Sequence, residues 1–262
     1  MLITILGLFS GLLLGITGGG GAIVSVPALV YGLHIPMQVA TTLSLFVVGG
    51  SAMLGTYLKR KEVDWKKGIA FAVFGGLASP IGAYLAGQIS ETVLIGSFAI
   101  LMLLVSFLML RKSFIKSNNF GINQIRKYSD NNIWQILPVA LFTGLLTGFF
   151  GVGGGFMIVP ALVILNRMDN KPAAATSLFI ITLISLVSIM NKAHEINVDF
   201  KLVTIFMFGS ILGMIFGSII SQKISSHLSQ RIFAIIAFIL GLFMLYDSFL
   251  HFAIYPSLYN NR

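Results

Sequence analysis

The chain lacks cysteine and contains few charged residues. None of its 262 residues is Cys, which excludes disulfide bonds, thiolate metal sites and thiol-relay chemistry. Asp, Glu, Lys and Arg make up 10% of the residues, well below the share in soluble domains, whereas 56% are apolar. The charged residues lie between long apolar segments, and the middle of each segment contains none. A binding site within these segments would be neutral, which disfavours proton relays and metal-cation sites built on carboxylates.

The motifs that a membrane-embedded enzyme would need are also missing. The sequence contains neither Gly-x-Ser-x-Gly nor His-Glu-x-x-His, and His194-Glu195 has no second His at the required spacing. The glycine runs are not followed by the Lys-Ser/Thr pair of a phosphate-binding loop. We therefore predict a protein that is not an enzyme and that needs no cofactor or metal.

Long apolar segments dominate the chain and predict an all-α polytopic membrane protein surrounded by a lipid bilayer. The run Thr92 to Leu110 alone is long enough to cross the hydrocarbon layer as a helix. The first ten residues carry no Lys or Arg, so they do not resemble a cleavable signal peptide. The net charge of +9 arises in short loops, where Lys and Arg mark the cytoplasmic face, so we expect no nucleic-acid partner. The predicted segments are 2–32, 37–58, 68–88, 92–110, 133–165, 172–191, 202–222 and 231–252.

The chain repeats itself after 133 positions. Gly11 and Gly15 correspond to Gly144 and Gly148, and the stretch Pro27-Ala-Leu-Val30 recurs as Pro160-Ala-Leu-Val163. The polar stretch between the repeats is rich in Asn, Ser and Lys, as expected of a linker. We predict a first membrane repeat at 1–112, a cytoplasmic linker at 113–132 and a second membrane repeat at 133–262, each repeat with four apolar segments.

The first segment of each repeat is interrupted by glycines. The run Gly18 to Gly21 divides segment 2–32 into arms that are each short for a membrane span, and Gly151 to Gly155 divides the equivalent segment. A re-entrant pair of half-helices accounts for this pattern. Backbone breaks within a membrane only where protein buries it or a wet cavity adjoins it, so the glycines indicate a site.

Charge in equivalent loops favours two repeats of opposite orientation. The loop 59–67 is dense in Lys and Arg, whereas the Lys residues of the equivalent loop 192–201 are offset by Glu195 and Asp199. Equivalent loops that face opposite sides of the membrane would differ in this way. The inverted arrangement places both chain ends outside and the linker inside.

Several short motifs occur in the same order in both halves. The glycine-rich break is followed by Val-Pro-Ala-Leu, then by Ala175-Thr-Ser-Leu178 in the second half, and then by Val63-Asp-Trp65 or Val198-Asp-Phe200. In this order and spacing the chain resembles the sulfite exporter TauE/SafE family over nearly its whole length. The resemblance implies a transporter of the bacterial inner membrane that exports sulfur-containing or organic anions, such as sulfite, sulfonates or sulfoacetate.

An anion could bind where the half-helices begin, because unpaired N–H groups and the positive end of the helix dipole meet there. Glycine would let the ligand approach those groups closely. Hydroxyl groups in the next segment of each half could donate further hydrogen bonds, although Ser and Thr in membrane helices usually bond to a backbone carbonyl. The predicted substrate-binding residues are Gly18, Gly19, Gly20, Gly21, Thr42, Ser44, Gly151, Gly153, Gly154, Gly155, Thr176 and Ser177.

Small residues at helical spacing predict close helix packing rather than ligand contacts. The rows are Gly75-xxx-Ser79-xxx-Ala83-xxx-Gly87 and Gly209-xxx-Gly213-xxx-Gly217. They could pack within one chain or between two copies, which leaves a homodimer open. An anion channel is the closest alternative to a carrier, because a continuous pore could use the same glycine breaks.

Overall fold

The computed structural model describes residues 2–115, 133–151, 155–164, 168–192 and 199–254. The elements in these ranges are all helices, and six are long and apolar enough to cross a membrane, which confirms the predicted all-α multi-pass class. Each of the two glycine-broken segments forms two shorter helices. The helices are α1 Leu2–Thr17, α2 Gly21–Leu33, α3 Met37–Leu58, α4 Trp65–Gly87, α5 Glu91–Ile115, α6 Ile133–Phe150, α7 Gly155–Ile164, α8 Asn170–Lys192, α9 Phe200–Lys223 and α10 Ser226–Ile254.

Helices α1 and α2 form a hairpin rather than one long helix. The Ser10 hydroxyl lies 2.6 Å from that of Ser25 and donates to the Gly21 carbonyl at 2.9 Å. A continuous helix would separate Ser10 from Ser25 by about 22 Å along its axis. A Cβ on Gly32 would lie 3.2 Å from the Leu6 side chain, so the two helices stay adjacent toward the open end of the hairpin. The chain therefore reverses direction at the glycine run.

The repeated Val-Asp pairs begin the helix that follows them. Asp64 caps α4 by accepting a hydrogen bond from the Lys67 amide at 3.2 Å. Asp199 caps α9 in the same way, accepting from the amides of Lys201 and Leu202. Aspartate satisfies amides that have no partner within the helix, and its charge favours the positive end of the dipole. This motif of the family resemblance is therefore structural.

The predicted rows of small residues pack the two halves together within one chain. Helix α1 lies against α9, and α4 lies against α6. A Cβ on Gly11 would overlap the Ser210 carbonyl, and one on Gly148 would overlap the Ser79 carbonyl. For the row on α4, the predicted last member, Gly87, is not part of the contact, because nothing lies within 4 Å of a Cβ at that position. Gly82, which is not in the predicted row, makes the close contact instead.

The directions of neighbouring helices follow from their contacts. Helices α3 and α8 run antiparallel, because Gly49 lies against Ser185 while Gly55 lies against Leu178. Helices α5 and α10 are also antiparallel, because Gly96 lies near Ser248. Farther along α5, Leu103 lies near Gly241, which comes earlier in α10. Helices α1 and α9 run in the same direction, and so do α4 and α6.

Burial separates a central pair of helices from a peripheral set. In the most apolar window of α3, 72% of residues are buried, whereas the figure for α10 is 28%. The exposed positions of the outer helices carry large apolar or aromatic side chains such as Leu77, Tyr84 and Phe249. Such a surface suits contact with lipid. Helices α3 and α8 therefore form the centre, and α8 contacts both glycine breaks, with Ala174 against Gly18 and Ile181 against Gly155.

We expect Gly11→Ala to destabilise the protein, because the added methyl group would overlap the α9 backbone. Overpacking of this kind costs about 1–3 kcal/mol. Gly87→Ala is the matched control, since nothing lies near that position and Ala favours a helix over Gly. Thermal unfolding of both variants in detergent should give a lower Tm for Gly11→Ala only. Equal Tm values would contradict the packing role.

Candidate functional site

The glycine breaks of the two halves lie against each other. A Cβ on Gly19 would overlap the Gly155 carbonyl, and a Cβ on Gly155 would lie 3.0 Å from the Gly19 carbonyl oxygen. Gly18 and Gly151 occupy equivalent positions and have φ angles of 77° and 61°. Residues with a Cβ rarely adopt this left-handed conformation, so glycine is required at both positions. Gly153 and Gly154 lie outside the described residues.

The amides of the first break are partly satisfied by the chain itself. Gly18 donates to the Leu14 carbonyl at 2.8 Å, and Gly20 donates to the Thr17 hydroxyl at 2.8 Å. Thr17 in turn donates to the Leu13 carbonyl at 2.7 Å. The N-cap of α2, Gly20, has no side chain that could bond to the first-turn amides, which have no intrahelical partner. The amides from Gly21 onward are therefore the ones that a ligand could use.

The predicted hydroxyl groups differ in what they contact. Thr42 donates to the carbonyl of Gln38 on its own helix at 3.1 Å, and Thr176 accepts from the Asp64 amide at 2.9 Å. Ser177 lies 2.7 Å from the Gly18 carbonyl, so α8 of the second half contacts the break of the first. Ser44, the equivalent of Ser177 in the repeat, is fully buried and its hydroxyl has no hydrogen-bond partner.

A cavity of about 430 Å³ lies next to the first glycine break. Its lining includes Thr17 from the end of α1 and Ala174 from α8, and Ala174 would contact a Cβ on Gly18. The rest of the lining comes from the end of α3 and the loop after it, from α7, from the start of α8, from the end of α9 and from the start of α10. The cavity therefore connects one end of the molecule to the residues that flank the break.

The wall of this cavity is basic. Lys59, Arg60, Lys61 and Lys171 line it, with Glu62 as the carboxylate among its lining residues. The uncharged polar lining consists of amides and hydroxyls, which can donate hydrogen bonds to an oxyanion. These polar residues are Asn170, Ser221, Gln222, Ser229 and Gln230. The arrangement suits a small anion better than a cation.

Lys59 holds the end of α1 within this cavity. Its Nζ donates to the Gly15 carbonyl at 2.8 Å, and Ser229 donates to the neighbouring Ile16 carbonyl at 2.8 Å. Both carbonyls belong to the last turn of α1, which lacks intrahelical donors. Burial lowers the pKa of Lys59 to about 8, Glu62 opposes this shift, and the positive charge of Lys171 adds to it.

The role of these cations was missed at the level of sequence, where the Lys and Arg residues served only to assign topology. Lys59 and Lys171 belong to different repeats, and only the tertiary structure places them around one cavity. The sequence contains one signal that could have singled out Lys59. A lysine also occurs at the equivalent position of the second repeat, Lys192, 133 residues later. The described residues contain no group of three or more His, Asp or Glu that could hold a metal ion.

Apolar spans in two interlocked halves, with a polar cavity that reaches a broken helix pair, define a multi-pass membrane transporter. The chain belongs to the sulfite exporter TauE/SafE family, whose model matches residues 3–244.

Relatives with this architecture include two bacterial proteins. A probable membrane transporter protein of Xylella fastidiosa (strain 9a5c) is 31% identical over 210 residues, which cover 78% of this chain and 77% of that protein. The probable membrane transporter protein YunE of Bacillus subtilis is 34% identical over 216 residues, covering 74% of this chain and 79% of the relative. No solved structure matches the chain significantly.

We expect Thr17→Val to destabilise the hairpin, because the buried Gly20 amide would lose its acceptor. An unsatisfied buried donor costs about 1–3 kcal/mol. Thr182→Val is the control, since that hydroxyl bonds only to the Leu178 carbonyl of its own helix. Thermal unfolding in detergent should show a lower Tm for Thr17→Val than for Thr182→Val. A similar Tm for both variants would mean that the Gly20 amide finds another partner.

Proposed function

We propose that the protein exports small sulfur-containing or organic anions, of the sulfite, sulfonate or sulfoacetate type, across the bacterial inner membrane. The observation that carries this proposal is the basic cavity beside the broken helix pair, since four cations face one carboxylate there. The name of the family, sulfite exporter, supports the substrate class. The two relatives are named as transporters without a substrate, so their names support transport alone.

Helix directions support the proposal that the two repeats, 1–112 and 133–262, are inverted. Helices α3 and α8 are equivalent in the repeat and run antiparallel, and the equivalent pair α5 and α10 does the same. Equivalent helices that run in opposite directions are expected when a two-fold axis in the membrane plane relates the halves. In this arrangement the linker 113–132 is cytoplasmic.

The cavity also supports re-entrant first segments. Two groups of residues line it together. One is the loop 59–62 after α3, and the other is Asn170 and Lys171 at the start of α8. If both broken segments crossed the membrane completely, these two groups would lie on opposite sides. With re-entrant hairpins they share one side, which the Lys- and Arg-rich loop marks as cytoplasmic. We therefore propose that the cavity opens to the cytoplasm, as an exporter requires for loading.

From the cavity the anion would pass to the junction of the two glycine breaks. The first-turn amides of α2 and the unpartnered Ser44 hydroxyl are donors for a desolvated anion. The membrane potential favours this direction, since one negative charge leaving a cell that is negative inside gains about 2.3 kcal/mol per 100 mV. Export then needs no coupling ion.

The same path could serve an anion channel, which is the alternative to a carrier. The close contact between Gly19 and Gly155 favours the carrier, because backbone in contact must separate before an ion can pass. A homodimer remains compatible with this function. The small-residue rows pack against other helices of the same chain, so they do not supply a dimer interface.

The proposed topology predicts which positions an impermeant maleimide reaches in intact cells. The chain has no native Cys, so single Cys residues can replace exposed Lys61, Gln88 and Asp169. We expect labelling of Gln88→Cys in intact cells, and of Lys61→Cys and Asp169→Cys only after permeabilisation. Labelling of Asp169→Cys from outside, together with protection of Lys61→Cys, would support full crossings instead and contradict the proposal.

Purified protein in liposomes should move anions in response to membrane potential. We expect flux of sulfite or of a small sulfonate to follow an imposed potassium diffusion potential, to saturate with concentration and to persist without a proton gradient. Empty liposomes and liposomes with heat-inactivated protein are the controls. Flux that required a proton or sodium gradient would contradict uncoupled export, and unitary currents would indicate a channel. Folded protein that moves none of these anions would overturn the substrate class.

A further inference from the structure

Lys59 differs from the other cations of the cavity in what surrounds it. None of the described carboxylates forms an ion pair with it, and its ammonium donates a hydrogen bond to the Gly15 carbonyl. Arg60 instead lies over the Tyr57 ring at 4.9 Å, and Lys61 is exposed to solvent. Lys59 is thus a partly buried cation whose direct partner is a carbonyl dipole, while the carboxylate of Glu62 acts on it without forming an ion pair.

A backbone carbonyl is a weak partner for a buried ammonium group. The bond to the carbonyl involves one charged group, whereas a bond to an anion involves two and adds the Coulomb attraction between them. The Gly15 carbonyl belongs to the last turn of α1, where the helix dipole is negative and would repel an anion. With its ammonium at this position, Lys59 offsets that repulsion and offers a donor to the same anion.

We propose that Lys59 binds the substrate anion in the cavity and exchanges its hydrogen bond to the Gly15 carbonyl for one to the anion. This inference rests on the proposed export of anions and assigns the residue that loads the transporter. Lys171 lines the same cavity and adds a second positive charge. The ligand class is therefore a small oxyanion with one or two negative charges.

The exchange would connect anion binding to the helix break. Gly15 lies three residues before Gly18, whose carbonyl is held by Ser177 of α8. Gly15 also packs closely against the α9 backbone at Met214 and Ser218. Release of the Gly15 carbonyl would leave the end of α1 with one hydrogen bond fewer at the point where the hairpin turns.

The proposal implies a pH dependence of anion binding. The charged groups that face Lys59 across the cavity are Arg60, Lys61 and Glu62 from its own loop and Lys171 from α8, whereas α1, α7, α9 and α10 contribute uncharged side chains. The pKa of Lys59 is lowered to about 8, so the ammonium loses its proton as the pH rises through this value. Binding that needs the charged form therefore weakens above that pH, whereas Arg stays charged.

Isothermal titration calorimetry with sulfite, on the full chain purified in detergent, tests this inference. We expect Lys59→Gln to weaken binding at least tenfold at neutral pH, and Lys59→Arg to bind within a few fold of the wild type. Lys66→Gln is the matched control, because it removes the same charge from the same end of the molecule outside the cavity. Circular dichroism and size-exclusion chromatography verify that each variant is folded.

The pH profile separates anion binding from a structural role. Between about pH 7 and pH 9 the wild type should lose about tenfold in affinity relative to Lys59→Arg, because only Lys59 loses its proton in that range. Titration of sulfite itself affects both proteins equally and cancels in this ratio. The comparison does not depend on the folding of Lys59→Gln.

Two results would overturn the inference while leaving anion export intact. One is a wild type that transports and binds sulfite with an affinity that Lys59→Gln does not change. The other is an identical pH profile for the wild type and Lys59→Arg. Folded wild type that neither binds nor transports any sulfur oxyanion or sulfonate would instead remove the proposed function, and this inference with it.

Discussion

The structure depends on one constraint, which is that a helix broken inside a membrane must find partners for its freed backbone groups within the protein. The first break finds them in two places. The Thr17 hydroxyl accepts the Gly20 amide, and the Ser177 hydroxyl from the opposite half bonds to the Gly18 carbonyl. The first break therefore depends on the opposite half, because its own hairpin supplies only one of these two partners.

Close packing of backbone against backbone follows from this dependence. The hairpin reaches the opposite half only because glycines on α1 and α6 let α9 and α4 approach without Cβ atoms between them. The same absence of side chains brings Gly19 against Gly155. Closely packed pairs of helices thus surround the junction of the two glycine breaks, which lies beside the cavity.

Charge is distributed to match this architecture. The spans keep charges out of their centres, so a ligand at the junction would meet amides and hydroxyls. Lys59 and Lys171 face the cavity at one end of the molecule, where the Gly15 carbonyl accepts a hydrogen bond from Lys59. An anion would be attracted by charge at the entrance and held by dipoles farther inside, which allows it to leave again.

The sequence by itself determined the helices, their breaks and the repeat, because these depend on local hydrophobicity, on glycine and on capping residues such as Asp64 and Asp199. It also grouped Gly18 and Ser177 among the predicted substrate-binding residues, and the structure brings these two into contact. Only the tertiary structure decided that Thr42 bonds to its own helix while Ser44 keeps a free hydroxyl, and that Lys59 meets Lys171. Hydrogen-bond partners and cavity walls come from residues more than a hundred positions apart, and a pattern along one segment carries no information about them.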